Sequence, residues 1–220
     1  MTAPVFASPE LAAATTELYT VFGDGPLARQ IYGCPCCSDP ETLARWSRTP
    51  LRDLPAEELE AYVYSAMSTI GDEEDFKHFT PRLLALAAED PDGVDFELVA
   101  AHLARAHWSN WLPQQRGAVD SYLDAIWRAL LVREHDARHI DAVVCGLALA
   151  GKDISKLLTE WAASAVPPAR TNLRRFIELN LPILRKKQGL SNAFWDESPS
   201  KEVEVADWLR AFARAEPQAR

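Results

Sequence analysis

The chain has 220 residues and a formal net charge of −9, which is long enough to bury a core that needs no disulfide or metal to fold. Hydrophobic residues make up 48% and charged residues 25%, a globular mixture that excludes wholesale disorder and fibrous structure. The negative charge disfavours a general role on nucleic acid or on an anionic membrane, and no apolar run reaches the ~20 residues of a membrane span.

Helix signals begin close to the N-terminus. Ser8-Pro9 predicts a helix start, because serine can cap free amides and proline suits the first turn, and this helix should end near Gly23. An irregular segment that contains three cysteines follows at 24–39. Asp39-Pro40 then predicts the start of a short second helix.

The middle of the chain has the clearest helical periodicity. Apolar residues from Pro55 to Ile70 recur at three- and four-residue spacing, which predicts one unbroken helix with Met67 on its buried stripe. Thr80-Pro81 predicts the start or restart of another helix. The helix after Pro113 should bury Leu123 at the centre of its apolar face.

The last third of the chain continues the pattern. The stretch Ile140–Leu149 is apolar nearly all round, as in a central helix, and Pro167-Pro168 begins a later one. We interpret residues 188–198 as a loop, followed by a C-terminal helix that starts at Ser198-Pro199.

These elements predict an all-α fold in a single domain over residues 1–220. Helix starts near 55, 95 and 136 are about 40 residues apart, the period of two-helix repeats of the HEAT kind. No residue pattern repeats with that spacing, so stacked helical hairpins in a HEAT-like superhelix and an irregular helical bundle both remain open.

The cysteine loop offers candidate chemistry. Cys34 and Cys37 stand in C-x-x-C spacing before a helix start, with Cys36 expected to point elsewhere. A thioredoxin-like redox site would also need a βαβ pattern, which the sequence lacks. His135 and His139 are four residues apart and would share a face if one helix covered both. Together the four residues would form a two-cysteine, two-histidine zinc site, whereas the alternative is a structural loop with reduced thiols.

Two other features suggest binding surfaces. The segment 166–190 has six positive charges against a single acidic residue, Glu178, which can mark a nucleic-acid face or a basic helix exterior with acidic neighbours. Trp195 falls in the segment interpreted as a loop, without periodic apolar neighbours, and is the candidate anchor for a protein partner.

Several short segments resemble a set of bacterial helical proteins. They are the GCPCC-x-DPE segment at 33–41, the GD-x-x-DF-x-HF segment at 71–79 and the W-x-x-W segment at 108–111. The resemblance covers about residues 15–135 and implies a shared all-helical fold in a bacterial cytoplasm. It implies no activity or ligand.

The sequence contains no hydrolase elbow, phosphate-binding loop or zinc-protease helix. We therefore expect a non-enzymatic protein-interaction or adaptor module with a protein partner and no catalytic residue. Because nothing near Met1 is typical of a secretory signal, we expect the protein to be cytoplasmic. We expect no cofactor; the alternatives are a zinc-binding or thiol-dependent protein centred on the cysteine loop, and a DNA-binding helical-repeat protein.

Overall fold

The computed structural model describes residues 4–187 and 189–215. Within these ranges the protein has ten α-helices and three short 3-10 helices and no β-strand, so the predicted all-α fold class is confirmed. The α-helices are α1 (Pro9–Phe22), α2 (Pro40–Arg48), α3 (Ala56–Ser65), α4 (Glu73–Glu89), α5 (Phe96–Arg105), α6 (Pro113–Val132), α7 (Ala137–Leu149), α8 (Ile154–Ala163), α9 (Pro167–Lys187) and α10 (Pro199–Ala215). No helix in the described ranges combines the length and the apolar character needed to cross a bilayer.

The chain divides into two compact units, Met1–Ile126 and Trp127–Arg220. The sequence predicted a single domain. The division falls within α6.

Helix α4 is the centre of unit 1. It packs against α1, α3 and α5. The aromatic rings of Tyr62 and Phe79 meet edge to face with centroids 4.7 Å apart, and the Trp46 ring contacts both. Such offset aromatic packing contributes beyond the apolar area that it buries.

Helix α3 ends earlier than its apolar stripe predicts, and the prediction of one unbroken helix to Ile70 is wrong. The last helical residue is Ser65, and Met67 adopts a left-handed φ of 58° that an α-helix does not allow. Ile70 instead forms isolated β-bridges with Ala66 and with Gly33 of the cysteine loop. Tertiary pairing with that loop therefore replaces the last turn of the predicted helix.

Helix α4 begins before the predicted start at Thr80-Pro81. Asp72 caps the helix by accepting hydrogen bonds from the amides of Glu74 and Asp75, and the Asp75 carboxylate accepts one from the Asp72 amide in return. This reciprocal capping box fixes the start at Glu73. Pro81 lies inside the helix.

Helix α9 has the central position in unit 2. It packs against α7, α8 and α10, and α8 also contacts α10. The Trp161 ring is fully buried between Trp127 and Phe176, with centroid distances of 5.4 and 5.7 Å. Its indole N–H donates to the carbonyl of Ala169 at 2.8 Å.

The segment interpreted as a loop at 188–198 contains a 3-10 helix, Ala193–Glu197. Gln188 lies outside the described residues. The C-terminal helix starts at Pro199, as the Ser-Pro signal predicts.

Candidate thiolate metal centre

The cysteine loop joins α1 to α2 and is fixed to the turn that follows α3. The backbone N–H of Cys34 donates to the Thr69 carbonyl at 2.8 Å, and the N–H of Gly71 donates to the Tyr32 carbonyl at 2.7 Å. These two bonds flank the bridge between Gly33 and Ile70. The early end of α3 thus supplies the backbone groups that hold residues 32–34 of the cysteine loop.

A second anchor lies at Arg29. Its guanidinium forms ion pairs with Asp72 and with the buried carboxylate of Asp75, the latter at 2.9 Å. Burial raises the pKa of Asp75, and the nearby Arg29 charge opposes that rise. The N-terminus of α4 and the loop are therefore connected by charged side chains as well as by backbone.

Within the loop, the carbonyl of Cys34 organises the following residues. It accepts hydrogen bonds from the N–H of Cys37 at 2.9 Å, from the N–H of Ser38 at 3.0 Å and from the Ser38 hydroxyl at 2.8 Å. Gly33 fits here because a Cβ at this position would overlap the Ser38 hydroxyl and the Leu43 side chain. This tight turn folds residues 34–38 back on themselves.

The turn brings three thiols together. The Sγ atom of Cys36 lies 2.9 Å from that of Cys34 and 3.3 Å from that of Cys37. All three sulfurs lie within 4.8 Å of one another. In the described part of the chain no other group of three or more histidine, cysteine or acidic side chains converges in this way.

Cys36 therefore belongs to the cluster, and the expectation that it points elsewhere is wrong. C-x-x-C spacing directs attention to Cys34 and Cys37 alone, because intervening residues of such a motif commonly face away. Here the hydrogen bonds to the Cys34 carbonyl close the loop so tightly that all three sulfurs meet. The adjacent cysteine pair in the sequence was the available signal for a third ligand.

Hydrogen bonding within the cluster shifts the pKa values of Cys34 and Cys36 in opposite directions. The pKa of Cys34 is lowered, chiefly by the hydrogen bond between its sulfur and that of Cys36. The same contacts raise the pKa of Cys36 to about 11, since its proton is shared with Cys34 and Cys37. The cluster thus favours a thiolate at Cys34 stabilised by neighbouring S–H donors.

The cluster is open to solvent, whereas the fourth cysteine is not. Cys36 and Cys37 are exposed and Cys34 is partly exposed, while Cys145 is buried in α7. None of these four forms a disulfide with another described residue. Exposed thiolates are accessible to metals and oxidants, and a buried thiol in an apolar helix is inert.

The two predicted histidine ligands lie in unit 2 and do not share a helical face. Asp136 caps α7 by accepting from the Arg138 amide, so the helix begins at Ala137 and leaves His135 outside it. His135 is buried, and its backbone N–H donates a hydrogen bond to the side-chain oxygen of Asn172. The Nε2 atom of its ring lies 3.5 Å from the Ala129 carbonyl. Burial lowers the pKa of His135. His139 is half-buried in the first turn of α7.

Trp195 is placed differently from the sequence interpretation. The 3-10 helix that carries it packs against α7 and α10, and its side chain is only 1% exposed. The sequence around Trp195 shows no periodic apolar neighbours, but residues distant in the sequence cover its ring in the folded chain. Because a covered ring offers no surface to a partner, the expectation of an anchor at Trp195 is corrected to a core position.

The basic segment 166–190 is partly neutralised by neighbouring groups. Arg175 pairs with Glu134 at 2.9 Å and donates to the His135 carbonyl. Arg174 lies 3.8 Å from Glu178. Arg170 and Arg185 are exposed and form no ion pair with other residues that the structure describes. Positive charge therefore remains on one side of α9.

Comparisons with protein-family models, with curated proteins and with solved structures find no match for this chain.

Proposed function

We propose that the protein binds a zinc ion through Cys34, Cys36 and Cys37. The observation that carries this proposal is the convergence of three thiol sulfurs within 4.8 Å on one exposed, doubly anchored loop. Thiolates are the ligands that zinc and other soft ions select. This ligand set replaces the predicted set of Cys34, Cys37, His135 and His139.

The sulfur spacing is close to what zinc requires. Zn–S bonds of about 2.3 Å in tetrahedral geometry put neighbouring sulfurs about 3.8 Å apart. The observed separations of 2.9 and 3.3 Å would widen by less than about 1 Å on binding. Replacing the shared protons by one cation would also remove the crowding of three S–H groups.

Three cysteines fill three of the four positions around zinc. A site with one open position can hold water or a substrate, as catalytic zinc sites do, or a ligand from a partner. The two thiols exposed to solvent are consistent with such an accessible position. We therefore propose that the fourth ligand of the zinc ion can be exchanged, so that the role of the metal is not limited to holding the fold together.

The test starts from reduced protein freed of metal by a chelator. Zinc titrated against a competing dye should bind with a stoichiometry of about one. Cobalt used as a spectroscopic substitute should show thiolate charge-transfer absorption, whose intensity reports the number of sulfur ligands. Cys34→Ser, Cys36→Ser and Cys37→Ser should each weaken binding strongly.

Matched variants separate the competing ligand sets. Cys145→Ala and His139→Ala should leave the cobalt spectrum and zinc affinity unchanged. Loss of binding in His139→Ala, with Cys36→Ser unaffected, would restore the two-cysteine, two-histidine site. Absence of zinc binding combined with a disulfide that forms within the cluster under mild oxidation would replace the metal proposal by thiol redox chemistry.

A second proposal is the protein-interaction role that the helical fold suggests, in a bacterial cytoplasm as the segment resemblance implies. The observation that favours it is an uncovered groove along α9 in unit 2, lined by apolar and arginine side chains. A display library of helical peptides with varied charge should yield ligands whose binding is lost in Ile177→Glu. Failure to select any ligand would contradict this role.

A further inference from the structure

Unit 2 has an open groove between α9, the end of α8 and the end of α10. Its volume is about 800 Å³. A second hollow of about 220 Å³ borders it, since Leu181, Arg185 and Ala213 line both. We call the two adjacent hollows together the arginine groove.

The floor of the arginine groove is apolar. Leu173, Ile177 and Leu181 recur at four-residue spacing on one face of α9, and Phe212 of α10 also lines the groove. The end of α8 and the segment that follows it contribute only small residues, Ala162, Ala163, Ser164 and Ala165. Small side chains on that wall let the backbone of an incoming segment approach closely.

Positive charge surrounds this floor. Five arginines line the groove, whereas Glu178 is its single acidic lining residue. The arginines are Arg170, Arg174, Arg185, Arg210 and Arg214. Within the chain, Arg174 pairs with Glu178 and Arg210 with Asp207. In a protein with a net charge of −9, this local excess of positive charge is complementary to an acidic ligand.

We propose that the arginine groove binds an acidic amphipathic helix of a partner protein. The groove follows α9 from Arg170 to Arg185, about 22 Å at 1.5 Å per residue, which accommodates a helix of about four turns. Apolar residues spaced by three and four positions would cover the floor, and flanking carboxylates would meet the arginines. This inference rests on the second proposed function and is independent of the metal site.

The apolar floor distinguishes this ligand from nucleic acid. Phosphate backbones are bound by continuous basic surfaces, and apolar side chains between the basic groups contribute nothing to phosphate contacts. Here Leu173 lies between Arg170 and Arg174 along α9, and Ile177 and Leu181 lie between Arg174 and Arg185. An amphipathic helix uses both kinds of surface at once.

The test uses the full chain and a labelled synthetic peptide of about sixteen residues, with leucines at helical spacing and glutamates elsewhere. Fluorescence anisotropy should show saturable binding that weakens as salt rises. Ile177→Gln, and separately the double change Arg170→Gln with Arg185→Gln, should each weaken binding about tenfold. Arg128 is an exposed arginine of α6 outside the groove. The control variant Arg128→Gln should therefore bind the peptide as tightly as the unaltered protein does.

Control ligands decide against the alternatives. A scrambled peptide of equal composition and a lysine version should bind at least about tenfold more weakly. Equal binding of the scrambled peptide, or no effect of the groove variants, would overturn the proposal, as would preferential binding of duplex DNA. Selection of basic or neutral helices from the display library would overturn only the proposal that the ligand is acidic. Failure to select any ligand would overturn the interaction role itself.

Discussion

The backbone N–H of Cys34 and the carbonyl of Thr69 are joined by a hydrogen bond of 2.8 Å. Thr69 belongs to the turn that replaces the last part of the helix predicted over 55–70. A change in backbone conformation after Ser65 therefore positions the first cysteine of the candidate metal centre. The following predictions test this coupling and the packing on which each unit depends.

Gly71→Ala should destabilise the protein by about 1–3 kcal/mol, because a left-handed conformation is costly for alanine. Gly71 has φ 69°, and its added Cβ would lie 2.9 Å from the Asp75 carboxylate. Zinc affinity should fall together with stability, since the N–H of Gly71 holds the Tyr32 carbonyl. Urea unfolding and dye competition measure the two effects.

The matched control for that change is Gly117→Ala. Gly117 lies in α6, and a Cβ there meets no heavy atom within 4 Å. Alanine in a helix should stabilise by about 0.5–1 kcal/mol relative to glycine. Unchanged stability in Gly71→Ala would contradict the backbone conformation described for the turn.

Cys34 should react with iodoacetamide at a lower pH than Cys36. The thiolate is the nucleophile, and its fraction rises as pH passes through the pKa. The pKa of Cys34 is lowered, chiefly by its hydrogen bond with Cys36, while that of Cys36 is raised to about 11. Peptide mass spectrometry after short alkylation across a pH series should show this order, with Cys145 unlabelled until denaturant is added. Labelling of Cys36 at a lower pH than Cys34 would contradict these opposite pKa shifts.

Leu123→Ala should cost about 2–5 kcal/mol, because it leaves a cavity at a fully buried site. Leu123 is completely covered in unit 1. Met67→Ala should cost much less, although both residues lie on apolar stripes in the sequence, since Met67 is only partly buried in a turn. Denaturant unfolding of the two variants compares them directly, and similar losses would argue for a helix through Met67.

Asn172→Ala should destabilise unit 2 by at least about 2 kcal/mol, because it leaves buried backbone groups without partners. The Asn172 amide donates to the carbonyls of Leu130 and Arg133 at 2.7 Å each and accepts from the His135 N–H at 3.0 Å. Thr159→Ala, which removes an exposed hydroxyl on α8, should change stability by less than about 0.5 kcal/mol. Thermal unfolding with a fluorescence probe of the tryptophans measures both.

The sequence by itself determined where most helices begin. Ser8-Pro9, Asp39-Pro40 and Ser198-Pro199 carry local chemistry that caps a helix or suits its first turn, and helices start at Pro9, Pro40 and Pro199. The apolar stripe around Leu123 predicted its burial for the same reason, since helical periodicity decides which side chains share a face. These features depend on residues within a few positions of one another.

Only the tertiary structure decided the candidate site. Met67 leaves the helix because Ile70 pairs with Gly33, a residue 37 positions away, and no local pattern encodes that pairing. Cys36 joins the cluster because hydrogen bonds to the Cys34 carbonyl close the loop. Trp195 is buried because α7 and α10 cover it, and His135 is separated from α7 by the Asp136 cap. Long-range contacts outweigh helix periodicity wherever they satisfy backbone groups or bury large rings that local structure leaves exposed.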